Sequence, residues 1–359
     1  MPVNSLSITE ITELGKKLIL PSSVLIEVCY SCNEKCVHCF LNEHKSTGLS
    51  LEQYGKIFDD MVSAGTFFVI LTGGDPFMRK DFLEIVEAAR KRRISVTIFT
   101  NATLIGDYEI ERLRALWVET IHVSIYSADP SIHDQITRVP GSFYKSLAAI
   151  SKMLDNGICV RLKCPLMKQN ADGIEDLKEF ARKLGVTIQF TAVITARNDG
   201  NTQTHNCRVT PEQLSVAVSD KDVLSQSSTP VHFRENLDAI PCETVFNGGA
   251  IDPLGNVYLC NQLQVIGGNV TQQSLLDIWR NSEAFKKIRN IRVRDLQKCS
   301  ECNIFSFCSR CPGLADLEDG DILGCSSVAK LLAEERHKVG IYPAETHIFS
   351  RAVTMKGGD

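Results

Sequence analysis

Val24-Leu25-Ile26-Glu27-Val28-Cys29-Tyr30-Ser31-Cys32-Asn33-Glu34-Lys35-Cys36-Val37-His38-Cys39-Phe40 joins an apolar run to three closely spaced cysteines. Val24 to Val28 reads as a strand feeding directly into the cysteine loop. The spacing of Cys32, Cys36 and Cys39 is Cys-x3-Cys-x2-Cys. Three thiolates that close together can hold three irons of a 4Fe–4S cube, leaving the fourth iron open for chemistry. Soft thiolates also select zinc or Cu(I). Zinc usually takes four ligands, and Cys29 and His38 would complete such a set. On the triplet alone, zinc and a disulfide staple stay open.

About 35 residues downstream, Phe67-Phe68-Val69-Ile70-Leu71 is a second buried strand, ending in Thr72-Gly73-Gly74-Asp75-Pro76. Two glycines after a parallel strand let the backbone approach a ligand closely. The neighbouring carbonyls and Asp75 can accept hydrogen bonds from an ammonium group. The same residues also suit an ordinary strand-to-helix turn. Together with the triplet, the segment resembles the radical S-adenosylmethionine (SAM) enzymes. That resemblance implies Cys32, Cys36 and Cys39 as ligands of a SAM-binding 4Fe–4S cluster. It implies Gly73, Gly74, Asp75 and Pro76 as the segment binding the methionine amino group, with Asp75 standing where the family has Glu.

Composition narrows the class. A chain of 359 residues buries a substantial core and suggests a large barrel with an appendage or two to three domains. A net charge of −4, without a long Lys/Arg run, gives no support for nucleic acid as partner. Met1 to Leu18 lacks a signal-peptide pattern, and no apolar stretch is long enough for a membrane span. Fourteen cysteines without an export signal point to the cytoplasm and to metal or cluster ligation.

The pattern alternates strands and helices. Ser50 with Gln53 forms a capping box before Tyr54, Ile57, Phe58 and Met61 at helical spacing, and Gly65 suits the stop. Helices are expected from Asp81, near Tyr108–Leu116, over Ser142–Asn156 and near Ile174–Leu184. Strands are expected at Val24–Val28, Phe67–Leu71, Ser95–Thr100, Thr120–Tyr126, Ile158–Leu166 and Val186–Val193. Six strands in βα alternation imply an α/β fold with a parallel sheet, curved or closed into a partial (β/α)6 TIM-like barrel. Binding groups then belong at the C-terminal ends of the strands. The cysteine loop, Gly73–Pro76, Thr100-Asn101 and Ser124 all fall there. The resemblance assigns Ser124 to the SAM ribose. Thr100 and Asn101 line the rim, and Arg161, Lys163 and Thr191 are candidates for the SAM carboxylate or adenine.

Residues 198–240 are polar and read as a bridge, with one periodic segment at Pro211–Leu224 and a lone thiol at Cys207. Beyond it come Cys242-x12-Gly255-x4-Cys260, then Cys299-x2-Cys302-x5-Cys308-x2-Cys311, then Cys325. Paired Cys-x2-Cys steps suit zinc. The whole layout, however, resembles the SPASM extension of radical SAM enzymes, a small cysteine-rich α+β domain with two auxiliary 4Fe–4S clusters. The family block has three residues between its last two cysteines, whereas two separate Cys308 and Cys311 here. The resemblance implies Cys242, Cys260 and Cys311 as ligands of the first auxiliary cluster, with no fourth cysteine evident. It implies Cys299, Cys302, Cys308 and Cys325 for the second. The expected organisation is an N-terminal segment (1–20), the barrel (21–197), the bridge (198–240), the SPASM domain (241–335) and a tail (336–359).

The implied chemistry is reductive cleavage of SAM to a 5′-deoxyadenosyl radical that abstracts hydrogen from a substrate. Three 4Fe–4S clusters and SAM are the implied cofactors, and a flavodoxin or ferredoxin the implied donor. The implied substrate is a ribosomally made peptide undergoing thioether or carbon–carbon crosslinking, epimerisation or backbone excision. With only about 20 residues before the first strand, such a peptide needs a separate leader-recognition protein or direct docking on the rim. A SPASM-type dehydrogenase or other radical enzyme acting on a small molecule is the alternative. Asp252 and Glu243, between Cys242 and Gly255, are candidate proton carriers near the first auxiliary cluster. Asp252-Pro253 equally suits a hairpin turn.

Overall fold

The computed structural model describes residues 8–46, 48–227 and 236–343. The start of the N-terminal segment, part of the bridge and the tail beyond 343 lie outside the described residues. Eleven strands run in chain order. They are β1 (Ser23–Glu27), β2 (Phe68–Thr72), β3 (Ser95–Thr100), β4 (Thr120–Ser124), β5 (Val160–Pro165), β6 (Thr187–Thr191), β7 (Gln226–Ser227), β8 (Gly248–Ile251), β9 (Asn256–Tyr258), β10 (Gly268–Asn269) and β11 (Tyr342–Pro343). Strands β1 to β6 pair in parallel in sequence order, forming the expected six-stranded partial barrel.

The sheet does not stop at β1. Ser23–Ile26 also pair in parallel with Gly248–Ile251, so β8 of the cysteine-rich segment continues the barrel. Strands β9 and β10 follow antiparallel, giving a sheet of nine strands in the order β10-β9-β8-β1-β2-β3-β4-β5-β6. Because β8 is parallel to β1, its C-terminal end opens on the same rim as the cysteine loop. Trp279, fully buried, lies over β8, where a Cβ on Gly249 would come within 3.2 Å of its ring. One apolar core consequently runs through both parts of the chain. Strands β7 and β11 form a separate antiparallel pair.

Local signals explain most elements. Ser50 and Gln53 form the reciprocal cap of helix Leu51–Ser63, whose buried face is Tyr54, Ile57, Phe58 and Met61. Where one helix was expected between β4 and β5, there are two, Pro130–Thr137 and Ser142–Asp155. The first is short and polar. Asp129 caps it, accepting from Ser131 N at 2.7 Å, and Pro130 occupies its first position. In the bridge, helix Pro211–Ser219 packs against helix Ser327–Val339. That last helix runs across position 336, where a tail was expected to start.

Strand β1 alternates strictly. Val24, Ile26 and Val28 are sealed in the core, while Leu25 and Glu27 turn to the concave face. Replacing Ile26, 0% exposed and paired with both β2 and β8, by Ala should lower stability by about 2–5 kcal/mol. Thermal melts followed by circular dichroism measure this, and a cost below about 1 kcal/mol would contradict it.

Candidate active site

The two glycines after β2 serve the cysteine loop itself. Gly74 N donates to Cys29 O at 2.9 Å and Asp75 N to Ser31 O at 2.8 Å. A Cβ on Gly73, which has φ +146°, would lie 2.1 Å from Cys29 O, and one on Gly74 would lie 2.3 Å from Ser31 O. Only glycine lets the two loops touch. Asp75 completes the junction. Its carboxylate is fully buried and accepts from Phe77 N at 3.0 Å, Asn101 N at 2.8 Å and Thr100 Oγ1 at 2.7 Å. The Asn101 amide donates in turn to Asn33 Oδ1 at 2.9 Å, inside the cysteine loop. Residues expected to touch a cofactor thus bind one another, and the loops after β1, β2 and β3 form one frame. Asp75 braces that frame with its carboxylate, so the oxygens left to face outward are those of the backbone.

The unexpected helix Pro130–Thr137 anchors the loop's far side. A helix ends with unpaired carbonyls. Those of Ile136 and Thr137 accept from Val37 N and Lys35 N, both at 3.0 Å. Cys36 lies 3.8 Å from the buried Tyr126 hydroxyl and donates to Glu34 Oε2 at 3.4 Å. Glu34 is 3% exposed, and its other oxygen has no partner among the described residues. Burial pushes its carboxyl up to about 7. The sequence reading passed over Glu34, and an acidic residue inside the triplet was the available signal. Burial likewise pushes the Cys32 thiol up to about 12 and raises Cys36 and Cys39, and both Cys32 and Cys36 feel the Cys39 thiol. Cys29 is buried apart, its Sγ directed at Asp75 O at 3.4 Å. Cys207 packs under the loop against Val37 O.

Further round the rim, Ser124 ends β4, in register with Lys163. Arg161 stands one inward-facing step lower, opposite His122. Lys163 Nζ lies 3.7 Å from the centre of the Phe99 ring, and burial lowers its pKa to about 8. His122 stacks on Phe99 with ring centres 4.9 Å apart, and neither ring nitrogen has a partner among the described residues. Arg161, Lys163 and His122 form a basic wall on the concave face. Thr191 ends β6 and is exposed.

In the cysteine-rich segment Cys242, Cys260 and Cys311 sense one another's charge, and burial pushes the first two up to about 11 and about 12. Gly313 permits this meeting. A Cβ there would lie 2.5 Å from Gln262 O, so helix Pro312–Asp319 can start against the turn that follows Cys260. No fourth thiol joins the set. The amide oxygens of Asn261 and Gln262 lie 3.5 Å from Cys260 Sγ and 3.7 Å from Cys311 Sγ. Cys299, Cys302, Cys308 and Cys325 line one cavity of about 620 Å³. Among the described residues no three His, Cys, Asp or Glu groups converge on a point suited to one metal ion. Soft thiolate sets of this kind suit an iron–sulfur group.

Asp252 and Glu243 sit in different surroundings. The Asp252 carboxylate accepts from Leu254 N, Asn256 N, Asn256 Nδ2 and Tyr258 Oη at 2.8–3.0 Å, closing the β8–β9 turn through Gly255 at φ +86°. Glu243 is paired with Lys16 on the surface.

Residues 26–181 match the radical SAM superfamily and residues 242–312 an iron–sulfur cluster-binding domain of the SPASM type. The chain belongs to the radical SAM enzymes and carries a C-terminal SPASM domain. It is 27% identical to the AdoMet-dependent heme synthase of Methanosarcina barkeri over 84% of this chain and 94% of that protein. It is 24% identical to the mycofactocin maturase of Mycolicibacterium smegmatis over 83% of this chain and 79% of that one. Its fold is similar to Streptococcus suis SuiB bound to the precursor peptide SuiA, with a TM-score of 0.65 and 18% identity over 90% of this chain and 79% of SuiB. No helix among the described residues is long and apolar enough to cross a membrane.

Gly74→Ala should force the cysteine loop off the β2 turn. Iron content and SAM binding should both fall while far-UV circular dichroism stays native. Full SAM binding by this variant would refute the close-packing argument.

Proposed function

We propose that this enzyme oxidatively modifies a ribosomally made peptide, forming a crosslink within it. The observation that carries this reading is the shared sheet. Strand β8 ties a second buried thiol set to the strand that carries the cysteine loop, with Cys242 and Cys260 at the end of β8 away from that loop. A crosslink needs a hydrogen atom, a proton and an electron removed from one substrate, and two redox-capable sets held by one sheet at either end of β1 and β8 suit that need. The likeness to the mycofactocin maturase, and to the fold of SuiB bound to its precursor peptide SuiA, supports a peptide substrate.

In this reading Cys32, Cys36 and Cys39 hold the SAM-binding cluster. Cys242, Cys260 and Cys311 hold one auxiliary cluster, and Cys299, Cys302, Cys308 and Cys325 the other. When bound and reduced by a flavodoxin- or ferredoxin-like donor, the first cluster supplies the electron that cleaves SAM. The chain's own residues orient and exclude. Backbone carbonyls beside Gly73, Gly74 and Pro76 take the ammonium of SAM, Ser124 takes its ribose, and Arg161 or Lys163 takes its carboxylate. Thr100 and Asn101 hold the frame that positions them. The peptide docks on the rim directly or through a separate leader-recognition protein.

A second reading is a small-molecule substrate bearing carboxylates, such as a tetrapyrrole. The likeness to the heme synthase and the basic wall of His122, Arg161 and Lys163 favour it. Mass spectrometry separates the two. Loss of two hydrogens from a peptide supports the first, and conversion of a tetrapyrrole carboxylate, with peptides unchanged, supports the second.

Reconstituted protein should carry about twelve irons per chain and convert SAM to 5′-deoxyadenosine. Cys32→Ala, Cys36→Ala or Cys39→Ala should abolish that conversion. Cys29→Ala, outside the triplet, should retain it, and the reverse pattern would overturn the ligand assignment. Replacing both Cys299 and Cys302 by Ala should remove about four irons and stop product while 5′-deoxyadenosine still forms. Normal product from a folded variant lacking those irons would show the second auxiliary cluster to be dispensable.

A further inference from the structure

Two carboxylates stand side by side where the barrel meets the SPASM domain. Strand β1 pairs with β8 up to Ile26 and Ile251, so the next residues, Glu27 and Asp252, are cross-strand neighbours. The alternation that buries Val24, Ile26 and Val28 turns Glu27 to the concave face. Position 27 is also the last of the strand before the cysteine loop. It therefore stands between the triplet on one side and the segment leading to Cys260 on the other.

The two carboxylates are held differently. Asp252 takes four donors and is committed to its turn. None of the hydrogen bonds described for the chain reaches the carboxylate of Glu27, which is only half-buried. The titratable groups around it are Asp252 just past β8, Tyr258 on β9, and Cys29, Tyr30 and Cys39 on the cysteine loop, with Glu43 beyond Tyr30. No cation is among them. Burial first, and the charge of Asp252 second, push the Glu27 carboxyl up to about 7. A general base works best with a pKa near the working pH and a free lone pair within reach of the reacting group. Glu27 has such a pKa and no hydrogen-bond donor among the described residues, while Asp252, the residue the sequence singled out, has its lone pairs occupied.

We propose that Glu27 is the proton acceptor of the oxidative step, a role that rests on the crosslinking reading above. A substrate C–H bond breaks, and its hydrogen atom joins the 5′-deoxyadenosyl radical to give 5′-deoxyadenosine. The carbon radical bonds to a second substrate atom that carries hydrogen. That atom's bond to hydrogen breaks, the proton goes to the Glu27 carboxylate, and the remaining electron leaves to an oxidised iron–sulfur cluster. Asp252 is a positioning residue, its fixed charge keeping Glu27 basic enough to accept the proton.

The test compares reconstituted wild-type, Glu27→Gln and Glu27→Asp enzymes. In Glu27→Gln, product formed per 5′-deoxyadenosine should fall on the order of 10²-fold, and Glu27→Asp should recover part of it. Proton acceptance needs the ionised form, so the wild-type ratio should rise with pH through about 7, and the Gln variant should lack that step. The protonated-carboxyl infrared absorption that disappears across the same pH range in wild type should be reduced in Glu27→Gln to the part that Glu34, which titrates in the same range, contributes. A wild-type product ratio in Glu27→Gln, or an infrared band unchanged by the substitution, overturns the proposal. Wild-type enzyme that makes no 5′-deoxyadenosine would instead bring down the underlying reading and the proposal with it.

Discussion

Strand β1 is paired on both sides, and the site depends on that double pairing. Against β2 it sets the cysteine loop beside the Gly-Gly turn, close enough that no Cβ fits between them. Against β8 it draws the cysteine-rich segment into the same sheet, with its turn on the same rim. Five residues therefore fix the relative position of the triplet, the SAM-binding turn and the first auxiliary set. Loop flexibility could not do this. Holding reacting groups in one geometry is where much of a catalyst's advantage arises, and a strand hydrogen-bonded on both edges is among the stiffest ways to hold them.

The polar groups on the concave face are segregated. Glu27 and Asp252 lie on the β1–β8 side, and Arg161, Lys163 and His122 on the β4–β5 side. Burial shifts Glu27, Lys163 and His122 toward their neutral forms. Glu27 is pushed up to about 7, while Lys163 is lowered to about 8 and His122 to about 3. A face that can lose charge on both sides accepts either an acidic or a basic substrate group without burying a fixed, unpaired ion.

Much of this was legible in the sequence, for particular reasons. The close spacing of the cysteines marked where they gather along the chain, while their division into three sets came from the resemblance, and helical periodicity marked most of the helices. Other features depend on partners distant in sequence. Gly248-Gly249-Ala250-Ile251 carries almost no strand signal, because its pairing with β1 and the cover of Trp279 supply what the side chains lack. Helix Pro130–Thr137 is too short and polar for periodicity to reveal. Its role is to lend two carbonyls to the cysteine loop. Asp75 reads as a ligand contact in the motif, whereas the fold uses its carboxylate to tie three loops. Glu27 reads as one polar residue in an apolar strand, and only the register with Asp252 marks it out.

Native-state hydrogen exchange measures most directly whether β1 unites the two cluster-bearing parts. If it does, the amides of β1, β2 and β8 should exchange only through the same global opening, with one common free energy. Exchange of β8 through a lower-energy opening, while β1 and β2 stay protected, would mean that the SPASM segment merely rests against the barrel, and would contradict the account.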